Sequence, residues 1–371
     1  MKSKLQILVI AAVAALVVGS HGALAMSVDA GQWINLFDGE TLYGWTVFGD
    51  GNWTVEDGSI VVTEGDSGFI ATTAQFMDYE LEATLRVTGE GTAGVAIRTP
   101  LSGYTQEEGG GVIYLDAGED NVAFSKINIK AVGDDITATV NEHPVEISAP
   151  NAHGHIAFQL HKYHRNRRGP KIEIQEVKLR PVVMRSLFNG ENLDGWNIIP
   201  DRASVFSVID GALNIKDGNG QIETEDVFRD FVLQIDCISH GEHLNSGVFF
   251  RGPVGVFWRG YEAQIRNQWM RDDRTRPVDF GTGGVYGVNA ARKVTTTDHE
   301  WFTMTIVCVG NHIAVWLDDY LVADFLDTRP VDRGADGKNG FVPDAGTIHL
   351  QGHDPATDLS FKNIHIQEYP E

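Results

Sequence analysis

Several side chains suited to chemistry fall on one alternation phase of neighbouring strands. In Gly247-Val248-Phe249-Phe250-Arg251, Val248 and Phe250 take one face and Phe249 and Arg251 the other. In Tyr261-Glu262-Ala263-Gln264-Ile265, the apolar face takes Tyr261, Ala263 and Ile265 and leaves Glu262 and Gln264 opposite. In Ile348-His349-Leu350-Gln351-Gly352-His353, Ile348 and Leu350 go inward and His349, Gln351 and His353 outward. If these strands share a sheet, one outer face carries Arg251, Glu262, Gln264, Gln351 and His353, with Asn245 at its edge. An ordinary wet sheet face carries Lys, Thr and Ser. This one carries an imidazole that titrates near neutrality, a carboxyl, a guanidinium and amides, a set for moving a proton and holding polar oxygens.

The elements that must position these groups read as strands throughout. Glu80–Val87 and Ile313–Leu317 alternate apolar and polar residues between Asp-Gly, Gly-Asn and Asn-Gly punctuation, the pattern of an antiparallel sandwich. No segment of helical length sustains a 3.6-residue period; short helices are expected at most around Thr72–Met77 and Thr224–Phe228. The chain also says one thing twice. Leu36-Phe37-Asp38-Gly39-Glu40-Thr41-Leu42-Tyr43-Gly44-Trp45 returns as Leu187-Phe188-Asn189-Gly190-Glu191-Asn192-Leu193-Asp194-Gly195-Trp196. Arg98 then matches Arg251, and Gln159 and His161 match Gln351 and His353. So long a period means two domains, expected at 31–181 and 182–371, each an antiparallel sandwich, the first degenerate. The second copy is 39 residues longer between these anchors (100 residues from Arg251 to Gln351 against 61 from Arg98 to Gln159), and the excess is expected largely over Trp258–Val294.

Residues 1–25 read as an export signal: Lys2 and Lys4, an apolar run Leu5–Val18, and Ala23-Leu24-Ala25 for cleavage. A secreted or periplasmic location and no membrane insertion after cleavage follow. The formal charge of −22 becomes −24 once the two signal lysines are gone, which disfavours nucleic acid as a partner. Cys237 and Cys308 both sit on apolar strand phases, as two buried thiols or as a disulfide.

The ordered motifs Leu187–Trp196, Asn245–Gly252, Gly260–Ile265, Thr282-Gly283-Gly284-Val285-Tyr286-Gly287, Leu350–His353 and Phe361–Ile366 resemble the bacterial 3-keto-disaccharide hydrolase family, once catalogued as a domain of unknown function. The resemblance covers nearly all of 186–368, and 33–180 more weakly. It implies an all-β, concanavalin A-like antiparallel β-sandwich (jelly roll) and a carbohydrate substrate already oxidised to a ketone at C3, whose C2 proton an ordinary side chain can remove. Under it, His353 is the first choice as base or proton shuttle, and Glu262 the second, as base or metal ligand. Arg251 holds a substrate oxygen or the enolate, or else a structural ion pair, and Tyr286 donates to the leaving oxygen. Asn245, Gln264 and Gln351 hydrogen-bond hydroxyls, and Trp258 or Trp269 stacks on a sugar face. Glu262 with His353 is the start of a divalent-metal site; no cofactor is otherwise called for. The stretch Asp332-x-x-x-Asp336-Gly337-Lys338-Asn339-Gly340 lacks calcium-loop spacing and reads as a turn. The paired carboxylates of ordinary glycosidases are missing, which argues against direct hydrolysis. The competing reading is a non-catalytic, lectin-like tandem carbohydrate binder.

Overall fold

The computed structural model describes residues 27–62, 67–89, 91–101, 109–116, 123–161 and 170–370; residues 1–25, expected to be an export signal, lie outside them. Among the described residues every regular element is a β-strand and the strands pair antiparallel, as the sequence pattern requires. Thr72–Met77 and Thr224–Phe228 form no helix. Phe76 and Phe228 instead exchange backbone hydrogen bonds with Gly154 and Gly346, so tertiary pairing takes the backbone groups a short helix would have used.

One long sheet passes through both halves of the chain. Its path runs His143–Val145, Asp135–Val140, Ser125–Val132, Tyr79–Thr88, Lys171–Ser186, Asp358–Glu368, Phe231–Ser239, Phe302–Val309, His312–Leu317 and Tyr320–Leu326. The strand Lys171–Ser186 makes the join: it pairs with Tyr79–Thr88 as far as Pro181 and with Asp358–Glu368 at Arg185 and Ser186. Strict alternation in Tyr79–Thr88 buries Tyr79, Leu81, Ala83, Leu85 and Val87 and turns Glu80, Glu82 and Arg86 outward.

Over this long sheet lie two five-stranded sheets. Trp45–Gly49, Ser67–Thr72, His155–His161, Thr92–Thr99 and Gly111–Asp116 form one, in that order; Trp196–Ile198, Gly220–Thr224, Thr347–Gly352, Ser246–Gly252 and Tyr261–Ile265 form the other. Each buries an apolar face against the long sheet. Tyr261, Ala263 and Ile265 enter the core of the C-terminal half, on the phase the sequence assigned them. The core under the N-terminal half is not its own alone. Val232, Val307, Val309, Ala314, Trp316, Leu321 and Tyr369 pack into it from the C-terminal half. The repeated opening motif is scaffold in both places: the Trp45 indole donates to Leu36 O at 2.7 Å and the Trp196 indole to Leu187 O at 2.8 Å.

Cys237 and Cys308 are free, buried thiols. They occupy adjacent strands, but Cys237 faces Phe302 and Cys308 faces Phe231, six residues away along the ladder, or roughly 20 Å at strand rise. No disulfide spans that distance. Burial pushes the Cys308 thiol up to about 11.

Candidate active site

The outward face of the C-terminal five-stranded sheet is built in two rows. Register aligns Glu223 with His349, His349 with Phe249, and Phe249 with Glu262. One step along, Gln221 faces Gln351, and Gly247 faces Gln264. All seven of these side chains are buried, although they lie on the face turned away from the core. The connections between strands fold over the face and cover them.

Glu262 is the chemically distinctive member. Burial lifts its carboxyl from 4.5 to about 8; the Lys338 ammonium pulls it down, Asp279 pushes it up, and a hydrogen bond from Trp258 pulls it down again. Space for the carboxyl comes from Gly247, where a Cβ would meet Glu262 Oε1 at 2.5 Å. Lys338 stands 4.3 Å from the Trp258 ring centroid and 5.7 Å from that of Tyr286, so the three close around the carboxyl. Tyr286 is half-buried and held by its own N–H to Glu262 O at 2.9 Å. Burial, Asp279 and Glu262 together raise its phenol above the usual value.

Lys338 was hidden from sequence reasoning because it arrives on the stretch read as a turn. That loop is anchored tightly. Gly337 N donates to Gly260 O, and a Cβ on Gly337 would strike the Tyr261 ring at 2.5 Å. Arg329 donates to Gly337 O at 2.6 Å and to Lys338 O at 2.9 Å, while its guanidinium and the Tyr261 hydroxyl both bind Asp327. The extra residues of the C-terminal half therefore fall in two connections. One is 266–301, 36 residues against eight at 117–124; the other is 327–346, 20 residues against nine at 146–154. The excess expected largely over Trp258–Val294 thus falls mostly in 266–301, with the smaller part at 327–346.

Three amides line the face with capacity to spare. Gln221 Nε2, Gln351 Oε1 and Asn245 Oδ1 have no hydrogen-bond partner among the described residues. A buried amide group left unpaired is costly unless a ligand or water completes it. Gln221 and Glu223 also pin the connection 253–260. Gln221 Oε1 accepts from Trp258 N at 2.7 Å and Glu223 Oε1 from Gly255 N at 2.9 Å. Both were overlooked, though the alternation of Gly220–Thr224 already placed them on this face. His349 is fully buried between Thr347 and Glu223, and burial lowers it to about 4, so it serves as a neutral hydrogen-bonding ring.

The remaining expected site residues divide. His353 follows the strand that ends at Gly352, with Nδ1 2.8 Å from Asp354 and its ring edge-on to Trp258 at 6.4 Å between centroids. Trp258 thus links it to Glu262. Gln264 donates its amide N–H to Asp279 O at 3.1 Å and its side-chain carbonyl accepts from Ile265 N; it orients Asp279 and has little left for a substrate hydroxyl. Asn245 grips the same Asp279 at 3.1 Å and keeps its carbonyl free. Trp269 is outside the cluster: Arg274 covers its ring at 4.1 Å.

Arg251 is a correction. Its backbone turns left-handed (φ 55°) and breaks the strand's alternation, so its side chain leaves the outer face. Its donors reach Arg229 O, Gly310 O, Val342 O and Asp230, and only 2% of the residue is exposed. Arg98 repeats the arrangement at φ 48° with Met77 O, Gly133 O and Asp78. Both arginines cross-link turns and are not available to an oxyanion. Among the described residues no three His, Cys, Asp or Glu side chains are arranged to hold a metal ion, at Glu262 and His353 or elsewhere.

The family model of the 3-keto-alpha-glucoside-1,2-lyase-like domain matches residues 32–180 and again 183–367. The chain belongs to this family. A curated relative, the 3-keto-disaccharide hydrolase of Bacteroides thetaiotaomicron, is 33% identical over 85 residues, 20% of this chain and 29% of the relative. The match therefore spans under a third of that relative's length. Two crystal structures of proteins from Parabacteroides distasonis, provisionally assigned as glycosyl hydrolases, each match 50% of this chain. One shares 26% identity over 99% of its length with a TM-score of 0.41; the other shares 20% over 94% with a TM-score of 0.40.

Within this family architecture the N-terminal half presents a different face. Register puts Ala71, Ala157, Ala96 and Val112 where the C-terminal sheet has Glu223, His349, Phe249 and Glu262. These side chains form a small apolar cluster with Phe69, Phe48 and Leu101. Gln159 persists opposite Phe69 and Gly94, but no carboxyl or imidazole accompanies it on these four places.

Proposed function

We propose that the protein is a carbohydrate-active enzyme that cleaves 3-keto-glycosides at the face centred on Glu262. The observation that carries this reading is Glu262 itself: a buried carboxyl of raised basicity, seated over Gly247 and walled by Lys338, Trp258 and Tyr286. A ketone at C3 acidifies the C2–H bond. The Glu262 carboxylate takes that proton, and the electron pair from C2–H enters the C2–C3 bond to give an enediolate. Lys338 offsets the charge developing on the C3 oxygen, the role first assigned to Arg251. Collapse of the enediolate forms the C1–C2 double bond and expels the C1 oxygen with the aglycone. That oxygen takes a proton from His353 or Tyr286. Water adding to C1, with a proton returned to C2, completes net hydrolysis; release before this step is a 1,2-elimination. Gln221, Gln351 and Asn245 complete their hydrogen bonds on the sugar hydroxyls.

A lectin has no use for a buried carboxyl held against its preference for water, which favours the enzyme over the binding reading. We further propose that the protein is exported by residues 1–25 and that the N-terminal half is a copy that has lost its own site. The test is turnover of a 3-keto-glucoside against the unoxidised glucoside. Cleavage of the keto form alone is expected; equal cleavage of both would refute the mechanism.

A further inference from the structure

The ion pair of Asp38 with Arg292 joins the N-terminal half to the segment that walls the candidate site. In the opening motif, Asp38 Oδ1 accepts from Glu40 N at 2.8 Å and Thr41 N at 2.7 Å. Asn189, its counterpart, does the same for Glu191 N at 2.8 Å and Asn192 N at 2.9 Å. An amide is therefore enough for the turn, and the carboxylate of Asp38 has another partner. It is 2.8 Å from Arg292 Nη1, with only 6% of its side chain exposed. Arg292 lies between the rings of Tyr43 and Tyr320, 4.6 and 4.3 Å from their centroids, and donates through Nε to Leu321 O at 2.7 Å. Thr41 accepts a further bond from Nη1 at 3.2 Å.

Arg292 closes the segment that walls the site. Its neighbour Ala291 donates to Phe280 O at 2.9 Å, and Phe280 stands edge-on to Tyr286 with centroids 5.2 Å apart. Asp279, one residue before Phe280, is the group gripped by Asn245 and Gln264 and felt by Glu262. We infer that Asp38 and Arg292 are positioning residues: the N-terminal half, which makes no contact with the reacting atoms, sets segment 279–292 and so completes the site of the other half. This rests on the assignment of Glu262 as the base.

The full-length Asp38→Asn variant isolates the charge, because Asn189 shows that the amide preserves the turn. Amide hydrogen exchange over 279–292 is expected to quicken. The kcat on a 3-keto-glucoside is expected to fall about ten- to a hundredfold with KM little changed, as for a misplaced wall. Arg292→Lys keeps a cation but loses the ring contacts and the Leu321 bond, and is expected to loosen the same segment. Asp38→Asn added to Arg292→Met is expected to cost nothing further. Wild-type exchange and kcat in Asp38→Asn, or losses that add in the double variant, would overturn the inference. Failure of the Glu262 assignment shows separately, as turnover that survives Glu262→Gln while the exchange result for Asp38→Asn stands.

Discussion

Replacing Glu262 by Gln should reveal the energy stored in the site as a pH-dependent gain in stability. The carboxyl titrates at about 8 in the folded chain, against 4.5 when free of its surroundings. Below 4.5 both states carry the proton. Between 4.5 and about 8 the folded state keeps it and the unfolded state releases it, so wild-type stability falls as pH rises; above about 8 the loss levels off. The span is about 3.5 pH units, and at 1.36 kcal/mol per unit the full effect is about 5 kcal/mol, of which about 3 is present by pH 7. Gln keeps the shape and the acceptor for Trp258 but has nothing to titrate. Urea denaturation of both proteins at pH 5, 7 and 9, at constant ionic strength, measures the difference. Glu262→Gln should gain on the wild type steadily from pH 5 to pH 9. A difference constant to within about 1 kcal/mol across that range would mean that Glu262 titrates like an exposed carboxyl, and the argument for a buried base would fall.

Lys338→Met removes the cation that draws Glu262 downward, so the acidic limb of kcat/KM should move to higher pH and kcat should drop at least about tenfold; a stopped-flow pH profile checks both. Gly247→Ala puts a methyl 2.5 Å from Glu262 Oε1; turnover should fall about a hundredfold, with a small change in Tm by calorimetry. His353→Ala should lower turnover of a 3-keto-glucoside bearing a poor leaving group about a hundredfold, far more than for a nitrophenolate, because only the former needs a proton on departure.

Much of the fold was legible because strand alternation and turn residues are local. The faces of Tyr261–Ile265 and the scaffold role of the Trp45 and Trp196 motifs followed from spacing alone. Glu262, Gln351 and Asn245 were legible for the same reason. What the sequence hid lies where alternation stops. Arg251 adopts a positive φ that nothing in a non-glycine residue announces, and with it the side chain passes from the open face to a ring of carbonyls. Lys338 and Asp279 reach the face on long connections whose course depends on anchors such as Arg329 and Gln264. Contacts between the two halves were not legible either: the shared strand Lys171–Ser186 and the packing of Trp316, Leu321 and Tyr369 into the other core join residues too far apart in sequence for local patterns to report.

The central claim is that Glu262 removes the C2 proton, and exchange of that proton tests it most directly. A 3-keto-glucoside is incubated with enzyme in D2O, and deuterium at C2 is followed by NMR in product and recovered substrate. The account expects deuterium at C2 with the wild type, and with Glu262→Gln neither exchange nor cleavage above background. Exchange at the wild-type rate in Glu262→Gln, or cleavage by the wild type that leaves C2 fully protiated, would contradict it.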